Sequence, residues 1–448
     1  MSDFPLGVHL PVEHGGALPK EADVAIVGGG IIGVMTAFFL AKKGLRPVVL
    51  EKGRVAAEQS SRNWGWIRQQ GRDMAELPIM MEAHQLWKHL AGEIGEDLGL
   101  KTVGICYLGE SEKELAEYEG WLKDASPFGL DSRMLSGSEV GDVLPGVTKR
   151  FDGALITPSD MKAEPWIAVP ALARAAVRAG AVIVENCAVR GLDTEAGRVA
   201  GVITEQGVLK APEVVVAGGA WSALFLRRHG VNIPQLSVQA PVIATHPLAD
   251  LDMPATAMSG LAWRRRADGG FTLVPGGWHK LHIGPDAFRA LPKYVPQLRA
   301  DWAGTYFSVA APTSYPDAWG TKRNWQMDAE SPFERMRVLN PVPPKAPIAA
   351  ALANFGALFP ALGVPKIRKA WSGMIDTMPD IVPVVDRADT LPGLSICTGM
   401  CGHGFGIGPA FGRVMADLVT GGEVGHDLSR FRLGRFADGA RIELGPII

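Results

Sequence analysis

The chain has 448 residues, 47% of them hydrophobic and 21% charged, which is enough to bury a large core in two or three domains. Its formal net charge is -2 with both signs interspersed, and this argues against a nucleic-acid partner. The cysteines Cys106, Cys187, Cys397 and Cys401 are dispersed, without zinc spacing or a disulfide framework. No metal site is expected, and a reduced, cytoplasmic compartment fits.

Met1 to Glu21 carries acidic residues, prolines and glycines, so no signal peptide is read there. The apolar run Val24 to Leu40 contains three consecutive glycines. It reads as strand, turn and helix, and no transmembrane segment is expected. Asp23 to Val27 is a short β-branched run suited to a strand buried on both faces. Gly28, Gly30 and Gly33 follow. Gly28 permits a tight turn, Gly30 lets backbone approach a pyrophosphate, and Gly33 lets the helix pack on the strand. Ile31 and Ile32 open the helix, whose free amides and dipole face the phosphates. A second strand, Pro47 to Leu50, ends at Glu51, a carboxylate placed for the ribose hydroxyls, followed by Lys52.

This unit alone does not separate FAD from NAD; three later segments favour FAD. Ser60, Ser61 and Arg62, with Trp64 and Gly65, suit a loop beside phosphates and a flat ring. Strands near Val182, around Val189 and from Val214 to Val216 then lead into small residues at Gly218 and a bulky Trp221. The strand Gly393 to Thr398 precedes a second glycine loop with Gly402, His403, Gly404, Phe405 and Gly406, and a helix is expected from Pro409. A helix N-terminus there can stabilise negative charge on a ring.

Together these residues resemble the D-amino-acid oxidase superfamily of flavoenzymes, which includes glycine oxidase and sarcosine oxidase. The resemblance rests on the Gly28 fingerprint, Glu51, Ser60-Ser61, Val214 to Trp221, Trp371-Ser372-Gly373, Pro379-Asp380 and Gly402 to Gly406. Within that group the chain is most similar to the Proteus-type L-amino-acid deaminases, through Leu18-Pro19-Lys20, Gly33 to Ala37, Glu58 to Arg62, Asn186-Cys187-Ala188 and Glu330 to Glu334. It departs from them in that no N-terminal membrane segment is expected. The resemblance implies non-covalent FAD and hydride transfer from a carbon next to nitrogen. The imine formed would hydrolyse to a keto acid and ammonia. An oxidase or dehydrogenase of secondary amines, such as N-alkyl amino acids or opines, is the alternative, with oxygen or a quinone taking the electrons. Two other departures bear on substrate. The stretch Pro275 to Lys280 has no arginine where the deaminases bind carboxylate, and Ile375 stands where many relatives carry one after Trp-x-Gly.

Four side chains are candidates for the chemistry. Arg68 suits a bidentate grip on a carboxylate, or a salt bridge to Asp73 or Glu76. Asp376 suits a second, cationic amine, or a turn. His279 and Lys280 suit a place across the ring, with the lysine assisting oxygen reduction, or a solvated hairpin. At His403 the backbone amide is favoured over the imidazole. Trp64, Trp66, Trp278 and Trp371 suit a pocket wall or ordinary core.

The expected fold is α/β (α+β overall): an FAD/NAD(P)-binding Rossmann-like domain with a discontinuous antiparallel-sheet substrate domain. The first would comprise residues 1–85, 150–240 and 355–448, the second 86–149 and 241–354. Gly269-Gly270 marks a hairpin. Residues 312–347 would be a lid or an interface. A homo-oligomer and peripheral attachment to a membrane both remain open. A different class, a flavoprotein whose FAD is structural, would need a buried ring and no substrate cavity.

Overall fold

The computed structural model describes residues 4–249, 251–300, 304–439 and 441–446. The strand Val24–Val27 lies near the middle of a six-stranded sheet, flanked by Glu213–Val216 on one side and Pro47–Leu50 on the other, both parallel to it. Val182–Val184 extends the sheet beyond Pro47–Leu50, and Leu394–Thr398 extends it beyond Glu213–Val216, again in parallel. Val384–Arg387 closes the second edge antiparallel. Central residues such as Ala25 and Ile26 are buried on opposite faces, which is why this strand reads as an unbroken apolar run.

The helices Ile31–Lys42 and Gly404–Thr420 lie side by side over one face of this sheet. A Cβ on Gly408 would come 2.9 Å from the Ile31 side chain, and one on Gly412 would strike the backbone of Met35. Two small residues one turn apart thus let the helices touch, and their contact brings both N-termini to one side of the sheet. The second helix begins at Gly404 rather than at Pro409, so Pro409 lies inside it. That earlier start makes the glycine loop itself the helix N-terminus. An antiparallel meander, Val189–Glu195, Arg198–Thr204 and Gly207–Lys210, packs with the opposite core.

The second sheet has ten strands. Its spine is the pair Leu236–Thr245 and Ile367–Thr377, antiparallel along nearly their whole length. The sheet expected to be antiparallel is mixed, because Ala255–Met258 pairs parallel with Ile105–Gly109, and His279–His282 parallel with Thr305–Ser308. Gly153–Thr157 and Ile367–Thr377 pair in this sheet, although they fall within stretches grouped with the first sheet on sequence. The Gly269-Gly270 hairpin is present between Leu261–Arg265 and Phe271–Val274, with Gly269 at φ +82° as its turn requires. Among the described residues no helix is long and apolar enough to cross a membrane, and no group of side chains is arranged to hold a metal ion.

Candidate functional site

Two cavities meet where the two sheets adjoin. The first, of about 150 Å³, follows the Gly28–Gly30 turn, Glu51, Val189 and Gly218 to the Gly402–Phe405 loop. The second, of about 550 Å³, lies under the large sheet. Gln59, Asn63, Gly402 and Phe405 line both and form the boundary.

The first cavity has the shape and chemistry of a dinucleotide cradle. A Cβ on Gly28 would lie 2.5 Å from the Ala217 carbonyl, and one on Gly33 would strike the Gly28 carbonyl, so both positions need glycine. The helix from Ile31 has Gly30 at its cap, no side-chain cap and no acidic residue in its first turn, which leaves its positive end to an anion. Ile31 and Ile32 line the cavity there, and the Ser60 hydroxyl accepts from Ile31 N at 3.0 Å. Glu51 is held by two amides: Gly29 N donates to Oε2 at 2.8 Å and Gly53 N to Oε1 at 2.7 Å. Burial raises the Glu51 carboxyl above its usual range, while Lys52 and those amides oppose the shift. Lys52 also lines the cavity. Its ammonium donates to Glu58 Oε1 and to the carbonyls of Met336 and Arg337, and it sits 4.4 Å from the Trp221 ring.

Several expected contacts fall elsewhere. The Ser61 hydroxyl accepts from Leu6 N, which turns it toward the N-terminal segment. Arg62 is buried behind the cavity and donates to Ala57 O, Asn340 Oδ1 and Ser372 O. Gly373 backs the site, because a Cβ there would strike Gln59 Oε1. Trp371 is core, packed on Phe4 and Trp166. Asp376 lies in the first cavity and not in the second. It accepts from Gly399 N at 2.8 Å, Met400 N at 3.2 Å and Gln235 Nε2 at 3.3 Å, so it anchors the glycine loop. Lys280 also misses the second cavity. Strand alternation sends His279 and Leu281 into it and turns Lys280 away, and the Lys280 ammonium lies 5.7 Å from the Trp278 ring. His279 Nε2 bonds to Thr305 Oγ1 at 2.7 Å.

The second cavity combines aromatic walls with two arginines, one half-buried and one buried. Trp64, Gly65, Trp66, Tyr107 and Trp278 line it, with Ile375 where an arginine was noted as missing. Trp64 and Trp66 meet edge to face at 5.2 Å, in the arrangement their quadrupoles favour. Gly65, at φ +78°, has no room for a Cβ because Arg264 and the Ala163 carbonyl are in the way. Arg68 reaches over the Tyr107 ring at 5.4 Å and donates to Gln70 O at 2.5 Å. Arg72 lies beside it, 2% exposed, with Nε donating to Arg68 O and Nη1 without a hydrogen-bond partner. Burial, reinforced by the Arg68 charge, lowers the Arg72 guanidinium to about 10, so it stays cationic at neutral pH. Sequence reading passed over Arg72. The available signal was its spacing from Arg68 within one polar stretch, which says nothing about burial.

Residues 312–344 reach the first cavity at Phe333. Its ring packs edge to face on Trp221 at 5.7 Å. Two ion pairs hold this strap, Arg190–Glu334 at 2.6 Å and Arg337–Glu205 at 2.6 Å.

The family model described as FAD dependent oxidoreductase matches residues 23–418. The solved L-amino acid deaminase of Proteus myxofaciens superposes with a TM-score of 0.91 at 30% identity, covering 97% of this chain and 98% of that one. The sarcosine oxidase subunit beta of Arthrobacter is 25% identical over 95% of this chain and 93% of its own length. Glycine oxidase of Geobacillus kaustophilus is 26% identical over 92% and 97%. Against mouse sarcosine dehydrogenase, 29% identical, the match spans only 27% of that protein's length. The glycine turns that exclude a Cβ, the helix N-terminus with no acidic residue in its first turn and the doubly held Glu51 fit the pyrophosphate and ribose of FAD, and with that match the chain belongs to the FAD-dependent oxidoreductase family.

Proposed function

We propose that the chain oxidises the carbon–nitrogen bond of an amino acid to an imine, which water hydrolyses to a keto acid and ammonia. The observation that carries this reading is the Arg68–Arg72 pair in a cavity that meets the cofactor cradle at Gln59, Gly402 and Phe405. Arg68 over the Tyr107 ring, with the buried Arg72 beside it, makes a cationic pair suited to the two oxygens of a carboxylate. FAD, when bound, supplies the two-electron acceptor for the hydride leaving the substrate carbon. The chain's task is to hold that carbon against the boundary and keep water out. Arg68 and Arg72 fix one end of the substrate, Trp64, Trp66 and Tyr107 wall the cavity, and the loop anchored by Asp376 sets its floor.

N-alkyl amino acids are the second reading. The near full-length likeness to the sarcosine oxidase subunit favours it, and the same arginines serve its carboxylate. The test is anaerobic mixing of the FAD-loaded protein with primary L- and D-amino acids, N-methyl amino acids and amines lacking a carboxylate. Rapid bleaching of the flavin's visible absorbance by a carboxylate-bearing amine is expected. Bleaching only by amines without a carboxylate, or by none of the panel, overturns the reading.

A further inference from the structure

We infer that the His403 imidazole, fixed by Glu76, is the group that receives the substrate's amine, its Nε2 accepting a hydrogen bond from the substrate N–H. This rests on the amino-acid reading above and deepens it.

His403 is the N-cap residue of the Gly404–Thr420 helix and lines the second cavity beside Gly402 and Phe405, the two residues of this loop that also line the cofactor cradle. It therefore stands at the boundary between the cavities. Its Nδ1 lies 3.2 Å from Glu76 Oε2. Glu76 is buried. Burial alone would raise its carboxyl, but His403, Arg72 and Arg68 outweigh burial and hold it below its ordinary value. Glu76 is thus a carboxylate and can only accept, so the proton of a neutral His403 sits on Nδ1 and the lone pair on Nε2. Burial, with the Arg72 charge adding to it, pushes the imidazole down to about 4, so the ring is neutral at neutral pH. Among the described residues Nε2 has no hydrogen-bond partner and is not a buried orphan, and the side chain, which keeps 16% of its surface, belongs to a residue lining the second cavity.

The same Glu76 Oε2 lies 3.6 Å from Arg72 Nη1. One carboxylate therefore positions both an arginine suited to the substrate carboxylate and an imidazole suited to its amine. The charged groups around the ring are Arg68, Arg72 and Glu76. An α-amino acid carries its two polar groups on one carbon, and this arrangement offers a cation for one and an acceptor for the other. His403 is then a catalytic residue, because it touches substrate, and Glu76 is a positioning residue, because it acts through His403.

The test compares an amino acid with its deamino analogue, the same carboxylic acid without nitrogen, on FAD-loaded protein. Substrate reduction is followed by flavin bleaching, and analogue binding by perturbation of the flavin spectrum. His403→Phe keeps a ring and removes the acceptor. It should lower the reduction efficiency for the amino acid by roughly 10- to 100-fold, the loss of one hydrogen bond to a charged or polarised partner, with analogue affinity unchanged. His403→Gln should recover part of the loss. Glu76→Gln should give an intermediate loss, because an amide no longer dictates the imidazole tautomer. Equal weakening toward amino acid and analogue overturns the assignment in favour of a structural role. So does unchanged reduction in His403→Phe. If the wild-type protein is reduced by no carboxylate-bearing amine, the amino-acid reading itself has failed and this assignment falls with it. Reduction of the wild type with an indifferent His403→Phe defeats this assignment alone.

Discussion

Arg68 and Arg72 differ in what holds them, and this sets what each substitution should do. Arg68 is partly exposed in the cavity, stacked over Tyr107 and bonded to a single carbonyl. Arg68→Met should therefore leave the fold and FAD content intact. It should lower kcat/KM for amino acids by roughly 10- to 100-fold, the range for one charge-assisted hydrogen bond, mostly through KM. Steady-state kinetics across carboxylate-bearing and carboxylate-free amines checks this, since the latter should be unaffected. Arg68 was singled out in the sequence because it follows the flavin loop, and it lines the second cavity. The salt bridge considered for it belongs instead to Arg72, 3.6 Å from Glu76. Asp376 and Lys280 show the limit of residue-level reading. A carboxylate or an ammonium announces what it can bind, but not which way a strand turns it. One residue of register turns Lys280 away from the cavity.

At the scale of elements, the contact between the Ile31–Lys42 and Gly404–Thr420 helices decides where the two N-termini lie. Gly412→Val should push them apart. The expected cost is about 1–3 kcal/mol of stability from overpacking, together with weaker FAD retention. Thermal melting and flavin content after gel filtration measure the two effects. A second element-level clamp joins the Pro165–Arg178 helix to the Leu261–Arg265 strand. Arg264 donates from Nη1 and Nη2 to the two oxygens of Glu164, each at 2.9 Å, with Lys162 Nζ 3.1 Å from Oε1. Burial alone would raise the Glu164 carboxyl, but Arg264 and Lys162 overcome it and hold it near about 2, below its ordinary 4.5. The folded-state value is depressed. This pair's contribution is therefore complete above about pH 4.5 and is lost as pH falls toward about 2. Denaturant melts between pH 7 and pH 2 should show that loss. Glu164→Gln should flatten its share of the slope and cost about 3–5 kcal/mol at pH 7, by leaving Arg264 buried without its counter-charge.

For the molecule as a whole, stability and cofactor should be linked, because FAD would bind a cavity that only the folded chain assembles. Adding FAD at about one hundred times its Kd should stabilise the protein by about 2.7 kcal/mol, read as a higher Tm. The strap over residues 312–344 tests whether the cradle is closed from outside. Arg190→Ala combined with Arg337→Ala removes both ion pairs that hold it. The expected result is faster FAD loss on dilution, followed by flavin fluorescence, with little change in the substrate-reduction rate of protein still loaded. An unchanged rate of FAD loss would make the strap a passive loop.

The first strand, its glycine turn, Glu51 and the return strands were readable because their demands are local. A buried parallel strand must be continuously apolar, and a turn against a carbonyl must be glycine. These motifs, the second glycine loop and the family resemblance together pointed to an α/β flavin fold. The substrate cavity is different in kind. Arg68 and Arg72 come from the stretch after the flavin loop, Tyr107 from a strand of the second sheet, Trp278 from a turn, and His403 from a helix cap near the C-terminus. No spacing rule links them. Which face each presents depends on strand register and on a helix that starts at Gly404 rather than Pro409. The sequence by itself determined the cofactor and the chemistry the residues are able to do. Tertiary structure alone decided which of them meet, because burial, tautomer and orientation depend on neighbours distant in the chain.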